Sequence, residues 1–317
     1  MFFVTFTISL LNNILRASTL DKPRPIVYNK AKQNEVKEEM EKRRLVRYDT
    51  EAGFEYAEGC LRFYLPTKSG FINYNIVHSV RPEITADIWR LGQAFGYDGN
   101  LSGEYKLTPF GAEWDMAIML EGRDDFIGGS NHGDEIFTSI DVIIDGRSTE
   151  LSSLAKLTDF ESATVKVSSV GYDPNDHKSV ALLHYKEYSV TESGVTVSQR
   201  IEWQRDFSVG SSYLAMMPPM KTLTEVYMTD NHPAAKPIVN GTVVTGARSA
   251  TLSGTNSGMK FTMSIEKYPD LLPETRFLIT DNSGNAYNKM YFFAAKGNEV
   301  KRGEIWESVT SYSITPV

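Results

Sequence analysis

Cysteine is almost missing from this sequence: Cys60 is the only one in 317 residues, which excludes an intrachain disulfide framework and any multi-cysteine metal cluster. Histidine is scarce, with five. No basic excess exists either, since 33 Lys and Arg stand against 40 Asp and Glu for a formal net charge of −7. No cationic field therefore gathers nucleic acid, although a local arginine could still bind an acidic polymer. Long apolar runs are also missing. Residues 1–11 (MFFVTFTISLL) have the apolar content of a signal-peptide core, but they lack a basic leading region and meet Asn12-Asn13 too soon to span a bilayer. They read as an arm that packs on a partner subunit; an export signal is the alternative. The chain has no Gly-x-Gly-x-x-Gly or Walker-type loop, no local Ser-His-Asp or Cys-His signature, and no short-period repeat. No cofactor and no membrane span are expected.

What is present is a globular balance, with 41% hydrophobic and 23% charged residues, enough to bury a sizeable core without staples. Pro23 and Pro25 mark a linker. Residues 34–47 (NEVKEEMEKRRLVR) predict a helix, with Asn34 as N-cap, early glutamates and late arginines suiting the helix dipole. After Gly59 the apolar period becomes two. Segments 60–65, 71–80, 112–120 and 136–144 read as strands, and strand-like segments continue from 163 to 314 with one short helical patch at 150–157. About a dozen strands without interleaved helices predict a mainly β, antiparallel sandwich or jelly roll over residues 59–317. Residues 1–58 would supply an N-terminal arm, linker and short helix for attachment or oligomerisation.

One hairpin can be read in register. Pairing Val190 with Val195 across the turn at 191–194 puts Leu182, His184, Tyr188, Val197, Ile201 and Trp203 on an apolar face. Tyr185, Glu187, Ser198, Arg200 and Glu202 take the other. His184 then reads as a hydrogen-bonded core histidine. Tyr185 beside Arg200 is either a plain cross-strand pair or a sugar-holding pair. Three of the four tryptophans read as core, while Trp89 and Tyr97 are expected in loops that could meet a ligand.

The segment with the most chemistry is residues 124–135, DDFIGGSNHGDE. Gly128, Gly129 and Gly133 permit tight turns, and Asn131, His132, Asp134 and Glu135 gather four polar side chains within five residues. Three readings stay open. His132 and Glu135 have the spacing of a His-x-x-Glu zinc motif, but a strand follows where that motif needs a helix, and no third ligand stands out. Asn131, His132, Tyr185, Gln199 and Arg200 supply the residue types of a polysaccharide lyase, with His132 or Tyr185 as acid or base and Arg200 and Asn131 holding a uronate carboxylate. The third reading is a turn whose polar side chains cap it or bind a glycan. Glycan contacts would then be Trp89, Asn131, His132, Asp134, Glu135, Tyr185 and Arg200, with no metal.

Residues 86–91 (ADIWRL), 111–114 (GAEW), 125–135 (DFIGGSNHGDE), 198–203 and 213–216 together resemble the β-rich receptor-binding modules of bacteriophage tail fibres and tailspikes. That resemblance implies a virion protein of the tail, homo-oligomeric and often trimeric, that binds a bacterial surface polysaccharide. Residues 1–47 would dock on other tail proteins. It leaves three functions in play: glycan binding, depolymerisation by a lyase, and a purely structural tail role.

Overall fold

The computed structural model describes residues 43–50, 56–109, 111, 113–129 and 131–316. The predicted arm and linker lie outside these residues, as does the predicted helix up to residue 42. The end of that helix is corrected: Arg44–Asp49 is a β-strand, paired with Ala57–Pro66 on one side and Thr158–Phe160 on the other. The reason is burial. Leu45 and Val46 point to opposite faces of the sheet and both are buried, a gain that outweighs the helix propensity of the charged residues before them.

Among the described residues, sixteen strands form one large sheet and seven a smaller one, as the period-two patterning predicts. One continuous apolar core lies between them and draws on both, from Phe63, Tyr74 and Val197 of the large sheet to Ile118, Leu214 and Phe292 of the small one. The helical content of the described residues is three short 3₁₀ turns, one at Leu151–Leu154 inside the expected helical patch. No described helix is long and apolar enough to cross a membrane.

Two antiparallel meanders make up the half of the large sheet that carries the site. The first is Ala57–Pro66, Gly70–Arg81 and Ala86–Asp98. The second is Glu135–Ile144, Ala163–Tyr172, Val180–Thr191 and Gly194–Trp203. They meet in a parallel contact of two residue pairs, Ala86 with Glu135 and Asp87 with Ile136. The hairpin register is as read from the sequence, with Val190 opposite Val195.

All four tryptophans are buried. Trp89, expected in a loop, instead lies within Ala86–Asp98, is 2% exposed, and stacks on His78 with ring centroids 4.8 Å apart. Tyr97 lies in the same strand and is also buried. Their cross-strand partners on Gly70–Arg81, His78 and Phe71, cover them, so neither is free to meet a ligand.

Candidate functional site

The glycine-rich loop runs from the small-sheet strand Phe126–Ile127 into the large-sheet strand Glu135–Ile144. Its shape depends on glycine at two points. Gly133 has φ +92°, and a Cβ there would overlap the carbonyl oxygen of Ile84. Gly129 has φ +77°, and a Cβ there would overlap the carboxylate of Glu113. The backbone is thus wrapped closely around an acid 16 residues upstream of it in sequence.

Glu113 precedes the fully buried Trp114, whose carbonyl accepts from Met216 N and from the Tyr312 hydroxyl, both at 2.8 Å. That anchoring fixes where Glu113 stands. Its Oε1 accepts from Asn131 N at 3.2 Å and faces His132 Nε2 at 3.7 Å, while Oε2 lies 3.8 Å from Lys289 Nζ. Glu113 and Lys289 are buried, and His132 is 29% exposed. On the other side of the His132 ring, Nδ1 meets Asp125 Oδ1 at 2.6 Å. The result is an Asp125, His132, Glu113, Lys289 series that runs from the surface inward.

A row of half-buried aromatic rings flanks this series. Phe126 packs on His132 at 4.7 Å and on Tyr213 at 6.2 Å, Tyr213 packs on Tyr291 at 4.6 Å, and Lys289 Nζ stands 4.7 Å over the Tyr291 ring. Burial raises the hydroxyl pKa of Tyr213, and burial with the neighbouring tyrosines raises that of Tyr291, so both remain donors. Behind them the fully buried Arg90 interacts electrostatically with Glu113 and Asp115.

Asp134 and Glu135 turn inward. Asp134, in the left-handed region at φ +52°, meets His177 Nδ1 at 2.6 Å, and its backbone bonds Ile84 O and Tyr172 N. Glu135 is fully enclosed. Its Oε1 meets His184 Nδ1 at 2.9 Å, accepts from Ser169, and lies 3.7 Å from Lys186 Nζ. Burial alone would raise its pKa, but Lys186, His184 and Ser169 overcome burial and hold the carboxyl well below its usual range. Lys186 also lies 3.6 Å from Asp115 and donates to Trp89 O at 2.8 Å. His184 is the packed core histidine expected from the hairpin, with Gln199 Oε1 3.2 Å from Nε2.

Of the residues singled out in the sequence, His132 therefore faces Glu113 and Asn131 adds its backbone N–H there while its amide donates to Gly111 O at 3.3 Å, and Asp134 and Glu135 serve the interior. His132 and Glu135 diverge to different partners, and among the described residues no group of three His, Cys, Asp or Glu could hold a metal ion. Tyr185 and Arg200 do pair, with the guanidinium 5.5 Å from the ring centroid. However, Tyr185 alternates with the inward His184 and Lys186 and so opens on the outer face, where it is 39% exposed. The 330 Å³ hollow it lines with Arg200, Lys166 and Lys267 contains no residue of the glycine loop. The lyase constellation of His132, Tyr185 and Arg200 is therefore corrected: the sheet itself stands between its members.

Sequence reading missed Glu113, Lys289, Arg90 and Lys186. Each is a charge flanked by large apolar side chains, Glu113 by Trp114, Lys289 by Met290, Arg90 by Trp89 and Leu91, and Lys186 by Tyr185, and that contrast was the available signal.

No family model and no curated protein matches this chain. Among solved structures, it is similar to a putative aldose 1-epimerase of Escherichia coli K12, with 10% identity and a TM-score of 0.41 over 81% of this chain and 99% of that one. A galactose mutarotase-like protein of Clostridium acetobutylicum gives 10% identity and a TM-score of 0.42 over 87% and 100%. Another from Lactobacillus casei gives 8% and 0.39 over 80% and 99%. None of the three is a phage protein. The tail-fibre resemblance is accordingly corrected, and with it the virion location, the tail partners and the tail-fibre function. The short blocks that suggested it include buried residues such as Trp89, Trp114 and Ile201 and the close turn at Gly133.

Proposed function

We propose that the group formed by Glu113 and His132 binds a sugar and moves protons on it. The observation that carries this reading is the approach of Glu113 Oε1 to His132 Nε2 at 3.7 Å, with Asp125 fixing the imidazole from behind at 2.6 Å. A carboxylate and an imidazole so placed form a base and an acid that can work together on one small group. The half-buried Phe126, Tyr213 and Tyr291 offer flat apolar faces against which the C–H face of a pyranose packs, with tyrosine hydroxyls for its rim. In this reading Glu113 takes the proton of the anomeric hydroxyl while His132 protonates the ring oxygen. The C1 to ring-oxygen bond breaks to give the open-chain aldehyde. Rotation and the reverse transfers then close either anomer.

Polarimetry on freshly dissolved neutral aldoses, glucose and galactose first, tests the proposal. The protein is expected to speed anomer equilibration, and Glu113→Gln or His132→Ala to lower the rate by roughly 100-fold or more. If a panel of neutral aldoses equilibrates no faster with protein than in buffer alone, the reading fails.

A further inference from the structure

The ammonium of Lys289 has little to do as it stands. The residue is buried, its nearest anion is Glu113 Oε2 at 3.8 Å, beyond hydrogen-bond range, and the Tyr291 ring lies 4.7 Å away. Neither contact uses the three donors of the group. Lys186, the other buried lysine of the interior, instead has a backbone acceptor at 2.8 Å and two carboxylates within 3.7 Å.

We propose that Lys289 is an amine nucleophile that forms a reversible imine with an aldehyde held beside Glu113. For the identity of that aldehyde, an open-chain sugar, the inference rests on the reading above. A lysine becomes nucleophilic when it is taken out of water or set beside another cation. Both conditions hold here: burial lowers the Lys289 pKa, Glu113 opposes that, and Arg90 adds to the lowering. Glu113 is also placed to carry protons for the condensation. The neutral amine adds its lone pair to the aldehyde carbon, the carbonyl oxygen becomes a hydroxyl, and that hydroxyl leaves as water after a second proton transfer. A carbon–nitrogen double bond takes the place of the carbon–oxygen one. No oxidant or reductant is needed.

Trapping tests this on the full chain. Glycolaldehyde with sodium cyanoborohydride at neutral pH reduces any imine to a stable amine, and peptide mapping by mass spectrometry locates it. Lys289 is expected to label roughly tenfold sooner than the exposed Lys68 and Lys260, because each tenfold rise in the neutral amine fraction raises the rate in proportion. Lys289→Arg keeps the charge, and its melting curve reports folding; the early adduct should vanish from it. Labelling spread over surface lysines with Lys289 spared, or an early adduct that persists in Lys289→Arg, overturns the inference. Early labelling without anomer equilibration would sink the sugar reading and keep this one, and equilibration without labelling would do the reverse.

Discussion

Within five residues of one loop, the chain builds two regions of opposite character. At Asn131 and His132 the side chains stay near the surface, with His132 part-exposed and its neighbour Asp125 near half-exposed. At Asp134 and Glu135 the side chains enter the interior, and Glu135 is sealed among His184, Lys186 and Ser169. Gly133 is the pivot between them. In the first region Lys289 meets Glu113 at 3.8 Å and the Tyr291 ring, whereas in the second Lys186 has a backbone acceptor and two carboxylates. Removing one member of a buried charge pair costs far more than removing a part-exposed one.

The largest effect that would sharpen this contrast is on Glu135. Replacing it with Ala leaves Lys186 and His184 buried with Asp115 as their remaining acid, and is expected to cost about 3–5 kcal/mol in chemical denaturation; a loss below about 1 kcal/mol would put Glu135 in the same class as the cleft. Next comes Gly133→Ala. The left-handed backbone alone costs about 1–3 kcal/mol, with the overlap on Ile84 O added, so thermal melting should fall clearly while the fold persists. His132→Ala should change stability by less than about 0.5 kcal/mol, even as it removes turnover; a large drop in melting temperature would erase the distinction between the two ends of the loop.

The smallest effect is in pH, and here neighbours differ in sign. The Glu135 carboxyl is held below its unfolded value, so it contributes stability that is present above about pH 4.3 and is lost as pH falls toward its folded pKa. Burial raises the Asp134 carboxyl despite His177, so its contribution is present below about pH 3.9 and fades as pH rises through the folded value. Acid denaturation of Glu135→Gln should therefore flatten the acid limb of the stability curve, and Asp134→Asn should steepen it slightly. Equal shifts in one direction would contradict the opposed environments.

Strand content and the faces of the Val180–Thr191 hairpin were legible because period two and a two-residue turn are local properties. The inward position of Lys186 and Gln199 follows from the same register, yet their chemistry does not, because it depends on Asp115 and Leu214 far away in sequence. The cleft was half legible. Glycine and polar crowding flagged Asn131 and His132, but Glu113 and Lys289 arrive from 18 residues before and more than 150 after, through the pairing of the small sheet. Tyr97 was misplaced because the Gly-rich stretch 92–103 around it suggested a loop. In the structure those glycines let strands pack closely: a Cβ at Gly92 would crowd Val77, and one at Gly96 would overlap Tyr105.

The parallel contact of Ala86 and Asp87 with Glu135 and Ile136 also bears on assembly. The first meander closes through short loops and the second includes the 18 residues between Ile144 and Ala163, while their junction spans the 36 residues between Asp98 and Glu135 and pairs directly at two positions. A junction of that span costs loop entropy before it returns contacts. Arg90 comes from one meander, His132 from the segment that bridges them, and Glu113 from the same bridge. Glu113 and His132 thus share the bridging segment, and what the junction adds to them is Arg90, brought up behind Glu113 from the first meander.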